Sequence, residues 1–515
     1  MDNNSRIKNS LFNMASGFIY RILIMLTSFA VRTVFIKCLA SDYLGVNGLY
    51  TSILSILSLV ELGFGTAMVY SMYRPLAQGD HQKLKLLMQL YKKVYSIIGT
   101  VILVIGLCLI PFLKFLIKDA PDVQGLTFYY ILFLLDTVTT YWFFAYKSSL
   151  LQADQKAYII SGYNSAFNII KSTLQIVLLL CFRSYTIYLV TQIICTAGQN
   201  IALAIKVNRL YPALKERGAD GEKLPKAETT RIFKDVKALM LSRVSHVVLN
   251  STDNVIISAI IGIGWVGLLS NFIMIAEAVT GLLTQITSAI QAGLGNFFAK
   301  EDREAGYRLF CRVEFMNFWL YGFSTIALIT LLNPFVTLWL GDDYTMGEGV
   351  IVAFGINFLV AGYMNTLWTF RSTLGLFTQG QYRPLIVSVL NVVLSFGLGF
   401  RWGVAGVLAA TSISRACVNL WYDPWLLHKE GFGKPVKPYY VKFVLRLLLL
   451  AVLVLGMKYL SSVVFNGGVQ YLNFFIMMCL VALIPNAVFL ALFHQTDEFN
   501  YYKDLARGWL RARKR

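Results

Sequence analysis

The sequence predicts an all-α membrane protein that crosses the bilayer about fourteen times, with two pseudo-symmetric six-helix lobes and two further C-terminal helices. Three observations predict this fold. Apolar runs of about 20 residues recur along the chain, basic residues concentrate in particular connecting segments, and the two halves resemble each other at one offset. The composition agrees, because 57% of the 515 residues are hydrophobic, 14% are charged and the mean hydropathy is +0.61.

Each apolar run is long enough to cross about 30 Å of hydrocarbon as a helix. Only "CFRSYT" near residue 183 and "GFRWGV" near residue 401 separate two pairs of neighbouring runs, and without those turns the count falls to twelve. The predicted spans begin near residues 15, 49, 93, 126, 159, 186, 237, 267, 313, 349, 384, 403, 441 and 470.

The basic residues predict the orientation. With a cytoplasmic N-terminus, the basic segments 74–93, 206–237, 300–312, 429–442 and 497–515 all face inward, as the positive-inside rule requires. We therefore expect a multi-pass protein of the cell (inner or cytoplasmic) membrane with both termini in the cytoplasm. The net charge of +19 then reflects topology, and its dispersal over many loops argues against a nucleic-acid partner. The terminal "RARKR" is suited to anionic membrane lipids.

An internal repeat gives the domain organisation. An offset of 222 places Arg21 on Arg243, Gly45 on Gly267, and "AQGD" (77–80) on "AKED" (299–302); offsets near it place Asn168 on Asn391 and Lys147 on Arg371. Six helices separate the copies, so both halves share one orientation, which is typical of transporters. The predicted domains are an N-lobe (1–210), a cytoplasmic linker (211–233), a C-lobe (234–428), and two extra helices with a basic tail (429–515).

Ionisable residues within apolar runs are the candidate site, because each costs about 2.5 to 3.5 kcal/mol near a helix centre unless it meets a partner or an aqueous cavity. Arg21 and Arg32 lie about three turns apart on one stripe of the first helix. Arg243 repeats Arg21, which favours a functional pair, whereas Arg32 aligns with Asn254 and snorkelling remains an alternative for it. The candidates are Arg21, Arg32, Glu61, Asp136, Lys171, Arg243, His246, Asp253, Glu277 and Arg415.

A guanidinium is permanently charged and donates two parallel hydrogen bonds, which suits phosphate. Asp253, amid Asn and Ser/Thr side chains, could bind Na⁺, carry a proton or pair with an arginine, and Glu61 and Glu277 are either coupling carboxylates or counter-ions. Lys147 and Arg371 lie near predicted cytoplasmic helix ends, where headgroup contact competes with a role as a cytoplasmic gate.

Other motifs point away from catalysis. "GIGWVG" (262–267) has no strand before it, so dinucleotide binding is rejected. A Walker A motif, catalytic serine motif and metal-ligand spacing are absent from the sequence, and the seven cysteines suggest neither disulfides nor zinc. We expect a protein that is not an enzyme, with no cofactor or metal other than a coupling Na⁺ or H⁺.

Longer stretches resemble a known family. They are "YLGVNGLYTSILSILSLVELGFGTAMVYSMYRPLAQGD", "TDNVIISAIIG", "GLLSNF" and "NPFVTLWLGDDY". They look like the polysaccharide or O-antigen flippases of the multidrug/oligosaccharidyl-lipid/polysaccharide exporter superfamily, and the resemblance covers nearly the whole chain.

The resemblance implies a two-lobed transporter that moves an undecaprenyl-diphosphate-linked oligosaccharide across the bacterial inner membrane by alternating access, for capsule, O-antigen or exopolysaccharide biosynthesis. Family members line the cavity with cations, and Arg21, Arg32 and Arg243, with Lys171 as a weaker candidate, match here. Polysaccharide polymerase machinery is an implied partner. The alternatives are a lipid II flippase, a cation-coupled multidrug exporter, and, from another class, a membrane polymerase or glycosyltransferase. The first helix lacks the carboxylate frequent in multidrug extruders.

Overall fold

The structure is a computed structural model, and it describes residues 22–61, 64–118, 125–212, 224–298, 302–376, 379–466 and 469–513. By their contacts the residues form two compact units, unit 1 (Met1–Ser270) and unit 2 (Asn271–Arg515). The described residues are helical or lie in turns, and they include no β-strand. The predicted all-α polytopic fold is therefore confirmed.

The helices of unit 1 are α1 (22–38), α2 (Asp42–Leu57), α3 (Phe64–Gln78), α4 (His81–Leu109), α5 (Leu113–Leu116), α6 (Leu126–Trp142), α7 (Ser148–Ala153), α8 (Ala157–Phe182), α9 (Tyr185–Leu210) and α10 (Lys226–Ile256). Helix α11 (Ile263–Phe298) runs from unit 1 into unit 2. The helices of unit 2 are α12 (Arg303–Leu340), α13 (Glu348–Thr373), α14 (Arg383–Arg415), α15 (Trp421–Leu426), α16 (Lys437–Val464), α17 (Gln470–Phe493) and α18 (Asp497–Arg513).

Within these ranges ten helices are long and apolar enough to span a membrane, or eleven if the bent pair α6 and α7 is one span. Each predicted span has a helix at its place. Helices α1 and α10 are not among those ten or eleven. Helix α1 is described only from residue 22, and α10 carries several charged residues. The chain is thus a multi-pass membrane protein.

Both short turns that the sequence left open exist. Arg183 adopts a left-handed backbone (φ 47°) between α8 and α9, and Gly403 does so within α14 (φ 59°). In α14 the Asn391 amide donates to Thr411 at 2.8 Å, although residues twenty positions apart on a straight helix are about 30 Å apart. Helix α14 therefore folds back at Gly403, and its two arms are separate spans.

Equivalent positions of the repeat adopt the same local structure in each unit. Asp80 caps α4 by accepting from the Lys83 backbone N–H at 2.9 Å, and Asp302 caps α12 by accepting from Ala305 at 2.7 Å. Asn168 bonds Ser172, and Asn391 bonds Ser395, each one turn further along its helix. The weak sequence similarity thus reflects repeated structure.

Aromatic side chains fill the interior of unit 1. Tyr50 is fully buried on α2, packs edge-on against Tyr130 at 5.3 Å between ring centroids, and donates to the Leu126 carbonyl at 3.0 Å. Such contacts hold membrane helices together because lipid tails are as apolar as leucine side chains, so burial in protein gains little by itself. They fix α2 against α6 beside the candidate site.

The division by contacts falls later than the predicted lobe boundary. Helix α10 lies in unit 1, where the Asn254 amide donates to Ser52 on α2 at 3.0 Å. Residues 213–223 of the predicted linker lie outside the described residues. The two units are defined by contacts between residues, whereas the predicted lobes are defined by the sequence repeat. The unit boundary therefore does not test the lobe limits at 210 and 234, which stay predictions.

The helices beyond the repeat pack on α12. Arg446 on α16 forms a buried ion pair with Glu314, and Trp319 donates to Asn486 on α17 at 2.8 Å. Tyr502 on α18 donates to the Arg312 carbonyl at 3.1 Å. One long helix therefore anchors all three C-terminal helices.

Candidate functional site

Arg32 lies on α1, half-buried, and its Nη1 donates to Ser270 Oγ on α11 at 2.9 Å. Ser270 is neutral, and no described carboxylate forms an ion pair with Arg32. The guanidinium contacts a neighbouring helix, and the snorkelling alternative for Arg32 stays a prediction. Among the described residues, the charge of Arg32 is thus met by neutral side chains, with Ser270 in hydrogen-bond contact and Tyr188 within electrostatic reach.

The repeat partner of Arg32 makes the matching contact. In the sequence repeat Arg32 aligns with Asn254. Arg32, on the first helix of the first repeat (α1), bonds Ser270 on the second helix of the second repeat (α11). Asn254, on the first helix of the second repeat (α10), bonds Ser52 on the second helix of the first repeat (α2). The two contacts differ in charge, because Asn254 is neutral where Arg32 is cationic.

The predicted pair Arg21 and Arg243 cannot be placed in the same way. Arg21 lies outside the described residues. Helix α10 passes through position 243, but the side chains of Arg243 and His246 lie outside the described part of the structure. Their joint binding of a diphosphate stays a prediction.

Glu61 ends the short 3₁₀ turn after α2, within a predicted membrane span, and is held by two phenols. Tyr95 on α4 donates to Oε1 at 2.5 Å, and Tyr141 on α6 donates to Oε2 at 2.8 Å. No described cation pairs with Glu61. Both predicted roles of Glu61, counter-ion and coupling carboxylate, stay predictions.

Lys171 and Asp136 are further interior charges of unit 1 that do not pair with each other. The Asp136 carboxylate on α6 accepts from the Gln192 amide on α9 at 2.7 Å. Lys171 is half-buried on α8, within electrostatic reach of Cys195 on α9, and forms no ion pair with a described residue. One neutral amide thus bonds the acid, and no carboxylate among the described residues pairs with the cation.

The remaining predicted carboxylates lie apart from these. Asp253 is half-buried on α10 next to the buried Ser251, in the part of unit 1 that contacts α2. Glu277 lies on α11 in unit 2 and its side chain is exposed. In the described ranges no three His, Cys, Asp or Glu side chains are grouped closely enough to hold a metal ion. Roles for Asp253 and Glu277 as coupling sites stay predictions.

Lys147 sits at the break between α6 and α7. Its Nζ donates to Asn208 Oδ1 near the end of α9 at 2.8 Å and lies 5.0 Å from the centre of the Phe144 ring. The side chain is half-buried, so the amine reaches both protein and surroundings.

Arg371, the repeat partner of Lys147, is placed differently. It is only 6% exposed and pairs with Asp423 Oδ1 at 2.7 Å, while Arg383 donates to the same oxygen at 2.6 Å. Arg371 also donates to the carbonyls of Leu376 and Gln379. The expected headgroup contact of Arg371 is therefore wrong for this structure, because the carboxylate of Asp423 holds its guanidinium inside unit 2.

The sequence did not single out several of these partners. Asp423, Arg383, Glu314 and Arg446 are buried in ion pairs, and Tyr95 and Tyr141 hold Glu61. The sequence could have pointed to two of them. Glu314 and Arg446 are charged residues inside apolar runs, which is the criterion that selected the other candidates. Tyr95 and Tyr141 are two of 28 tyrosines, and nothing in the sequence distinguishes them from the others.

The fold and these interior charges define a class: a multi-pass helical membrane protein whose two halves repeat. Neither a protein-family model nor a curated protein matches the chain in sequence. Solved structures do match in three dimensions.

One is the lipid II flippase MurJ in an inward closed conformation, with a TM-score of 0.65 and 16% identity over 93% of this chain and 99% of that one. A second is an inward-facing multidrug resistance MATE family transporter of the MOP superfamily, with a TM-score of 0.57 and 14% identity over 78% and 97%. A third is an aspartate-to-asparagine mutant of the Vibrio cholerae MATE transporter VcmN, with a TM-score of 0.53 and 16% identity over 82% and 97%.

At these identities the likeness shows the fold. The chain has the fold of MurJ and the MATE transporters, and the superfamily that the sequence resembles stays a prediction. The narrower resemblance, to the polysaccharide or O-antigen flippases, stays a prediction.

Proposed function

We propose that the protein is a flippase of the bacterial inner membrane that moves an undecaprenyl-diphosphate-linked oligosaccharide to the outer leaflet by alternating access. Both termini lie in the cytoplasm in this proposal, and the product supplies capsule, O-antigen or exopolysaccharide biosynthesis. The polymerase machinery of that biosynthesis is the proposed partner.

The observation that carries the proposal is the Arg32 contact with Ser270. A cation at the centre of a membrane helix costs about 2.5 to 3.5 kcal/mol on insertion scales, and a hydroxyl recovers only part of such a cost. Lys171 adds a second interior cation of unit 1 without a described counter-charge. In unit 2, by contrast, Asp423 and Glu314 hold the buried arginines.

An anionic substrate would supply the missing counter-charge. A diphosphate presents several oxygens to guanidinium and ammonium donors, and such charge-assisted bonds are about twice as strong as neutral ones. Arg32 and Lys171 would contact it in this proposal, together with Arg21 and Arg243. A cationic drug would add positive charge to the same region, so drug export fits it poorly.

Energy would come from an ion gradient, the membrane potential or the substrate gradient, since the sequence has no Walker A motif. Glu61 is the proposed proton site, because Tyr95 and Tyr141 can hold it both as carboxylate and as acid. Asp253 is the proposed alternative for Na⁺, given the polar side chains around it.

The test is translocation of a labelled diphosphate-linked oligosaccharide by the purified protein in vesicles. Arg32→Ala should lower the rate at least about tenfold, whereas Lys37→Ala, an exposed cation on the same helix, should leave it within about twofold. An unchanged rate in Arg32→Ala would show that Arg32 does not bind the diphosphate. Formation of new glycosidic bonds in the same vesicles would instead favour a polymerase or transferase.

A lipid II flippase is the second candidate. One observation favours it: the superposition on the lipid II flippase MurJ covers 93% of this chain, against 78% and 82% for the two MATE structures. Lipid II also carries a diphosphate, so Arg32 would serve the same purpose. Supplying lipid II and a longer oligosaccharide lipid to the same vesicles separates the two candidates by relative rate.

A further inference from the structure

Helix α8 has a polar side and an apolar side, although it is long and apolar enough to span the membrane. Over residues 161–175 seven polar side chains fall within about 120° of its circumference, since each residue turns an α-helix by about 100°. We call this set the polar face of α8, and it consists of Ser161, Asn164, Ser165, Asn168, Lys171, Ser172 and Gln175. Large exposed apolar side chains lie on the opposite side of the helix: Ile169, Ile170, Leu174, Val177 and Leu180.

The apolar side suits lipid tails, but the polar face does not. Polar side chains of membrane helices face protein or a water-filled cavity, because hydrocarbon offers them no hydrogen bonds. The exposure of the polar face changes along the helix. Ser172 and Gln175 are only 5% and 2% exposed, whereas Ser161 and Asn164 are exposed. The face is thus covered at one end and open at the other.

Protein covers the buried end of the polar face. The Gln175 amide donates to the Tyr188 carbonyl on α9 at 3.4 Å, and the Ser172 hydroxyl donates to Asn168 Oδ1 at 3.4 Å. Tyr188 lies within electrostatic reach of Arg32. The polar face therefore leads, at its buried end, to the cation on which the proposed function depends.

The open end of the polar face lies where α8 begins, near Ala157. The positive-inside rule predicts that this end faces the cytoplasm. The Gln199 amide on α9 donates to Asn164 Oδ1 there at 2.9 Å, which adds another neutral polar group. From Ser161 to Lys171 the exposed or half-buried part of the face extends over about 15 Å.

Neutral amides and hydroxyls are suited to sugars. An amide or hydroxyl side chain both donates and accepts hydrogen bonds, as a sugar hydroxyl does, and neither partner needs a counter-charge. A diphosphate-linked oligosaccharide combines two chemistries in one molecule, because its sugars follow directly on the anionic diphosphate. Lys171 matches the diphosphate, and Asn164 and Asn168 match the sugars.

We propose that the polar face of α8 binds the sugars of the transported lipid-linked oligosaccharide between Ser161 and Asn168, while Lys171 lies beside the diphosphate. This inference rests on the proposed function and adds to it the residues that contact the glycan. Such a face would let the protein distinguish one glycan from another. The cations alone could not, because both candidate substrates carry a diphosphate.

The test compares two kinds of lipid for their affinity to the full-length protein in neutral detergent. One is a polyprenyl diphosphate without sugar, and the other is the same lipid carrying a tetrasaccharide from a defined panel of neutral and acidic sugars. We expect at least one tetrasaccharide lipid to bind more tightly than the sugar-free lipid, because the sugars add hydrogen bonds. Equal affinity for the sugar-free lipid and every member of the panel would overturn the proposal.

Translocation of the same lipids in vesicles is measured separately. A protein that prefers a tetrasaccharide lipid but moves none of the lipids across the bilayer would contradict the proposed function and leave the glycan site standing. A protein that moves them all and binds them equally would contradict the glycan site alone.

The deciding variant is Asn164→Leu/Asn168→Leu, which keeps side-chain size and removes both amides. Its affinity for the preferred tetrasaccharide lipid should fall at least about tenfold, the loss expected from about two hydrogen bonds, and its affinity for the sugar-free lipid should stay within about twofold. Thr173→Val is the matched control, because Thr173 is an exposed polar residue on the apolar side of α8. An undiminished preference for sugar in the double variant, or an equal loss in the control, would refute the assignment.

Melting temperature is recorded for each variant. Should the double variant melt early, cysteine labelling in a background without the seven native cysteines decides the question. A water-soluble maleimide should label Asn164→Cys but not Ile170→Cys, which lies on the apolar side, and the tetrasaccharide lipid should slow the labelling more than the sugar-free lipid does. Equal labelling of the two positions, or equal slowing by the two lipids, would contradict the proposal.

Discussion

Gly45 on α2 and Gly267 on α11 lie against each other inside unit 1. A Cβ atom added to Gly267 would stand 2.9 Å from the backbone nitrogen of Gly45, and one added to Gly45 would clash with the carbonyl oxygen of Ile263. These two glycines occupy equivalent positions of the sequence repeat. The repeat thus brings two copies of one small residue together where the helix backbones approach most closely, as is common between membrane helices.

Replacing either glycine should destabilise the protein. In Gly45→Ala the new methyl group meets backbone atoms that a side-chain rotation cannot move, so we expect a loss of about 2 kcal/mol or more. The melting temperature of the purified protein in detergent should fall by several degrees. Gly264→Ala on α11 is the control, because a Cβ there meets nothing within 4 Å. Equal melting of the two variants would mean that the helices separate without cost.

Glu61→Gln should uncouple transport from its driving gradient. The amide keeps the size and can bond Tyr95 and Tyr141, but it cannot ionise, so a proton gradient no longer drives the cycle. In vesicles the translocation rate with a pH gradient should fall to the rate without one. Glu430→Gln removes an exposed carboxylate that is not a coupling candidate and should keep the gradient dependence. Full gradient dependence in Glu61→Gln would exclude Glu61 as the proton site.

Much of the fold could be predicted because it depends on local patterns. Apolar length fixed where helices cross, and the aspartates of "AQGD" and "AKED" reappear as helix caps at Asp80 and Asp302. The two doubtful turns needed one left-handed residue each, Arg183 and Gly403. Each of these features depends on residues that are close together in the sequence, so one sequence is enough to predict it.

The site was harder to predict because its pairs are distant in sequence. Arg446 and Glu314 are 132 positions apart, and Glu61 and Tyr141 are 80 apart. A charged residue in an apolar run predicts that a partner or an aqueous cavity is needed. It does not say which of the several neighbouring helices supplies the partner. The sequence therefore indicated Arg32 and Glu61 as unusual and could not tell that Ser270 and two tyrosines hold them.

Asp423→Asn should be more damaging than Arg371→Gln. Among the described residues, Asp423 alone pairs with the buried guanidiniums of Arg371 and Arg383. Its loss therefore leaves both uncompensated, which costs about 3 to 5 kcal/mol. Arg371→Gln leaves Arg383 and Asp423 as a balanced pair. Yield of folded protein and melting temperature should rank wild type first, then Arg371→Gln, then Asp423→Asn.

Lys147→Gln provides the comparison from the other repeat. Lys147 is half-buried, whereas Arg371 is buried, so the loss of Lys147 should leave the melting temperature close to that of the wild type. A melting temperature as low as that of Asp423→Asn would show that both repeats use this position to hold the fold together.

The last prediction concerns the attachment of the extra helices. Arg446 on α16 donates to both oxygens of Glu314 on α12, at 2.7 and 2.5 Å, and its guanidinium lies 4.8 Å from the centre of the Phe318 ring. Both residues are less than a tenth exposed. Glu314→Gln should cost about 3 to 5 kcal/mol, because it leaves a buried positive charge without its partner.

The double variant Glu314→Leu/Arg446→Met should recover most of that loss, since apolar side chains of similar volume replace a buried pair at little cost. A double-mutant cycle on melting temperature measures the difference. Losses that simply add would mean that the two residues do not interact, and that α16 is held to α12 by apolar packing alone.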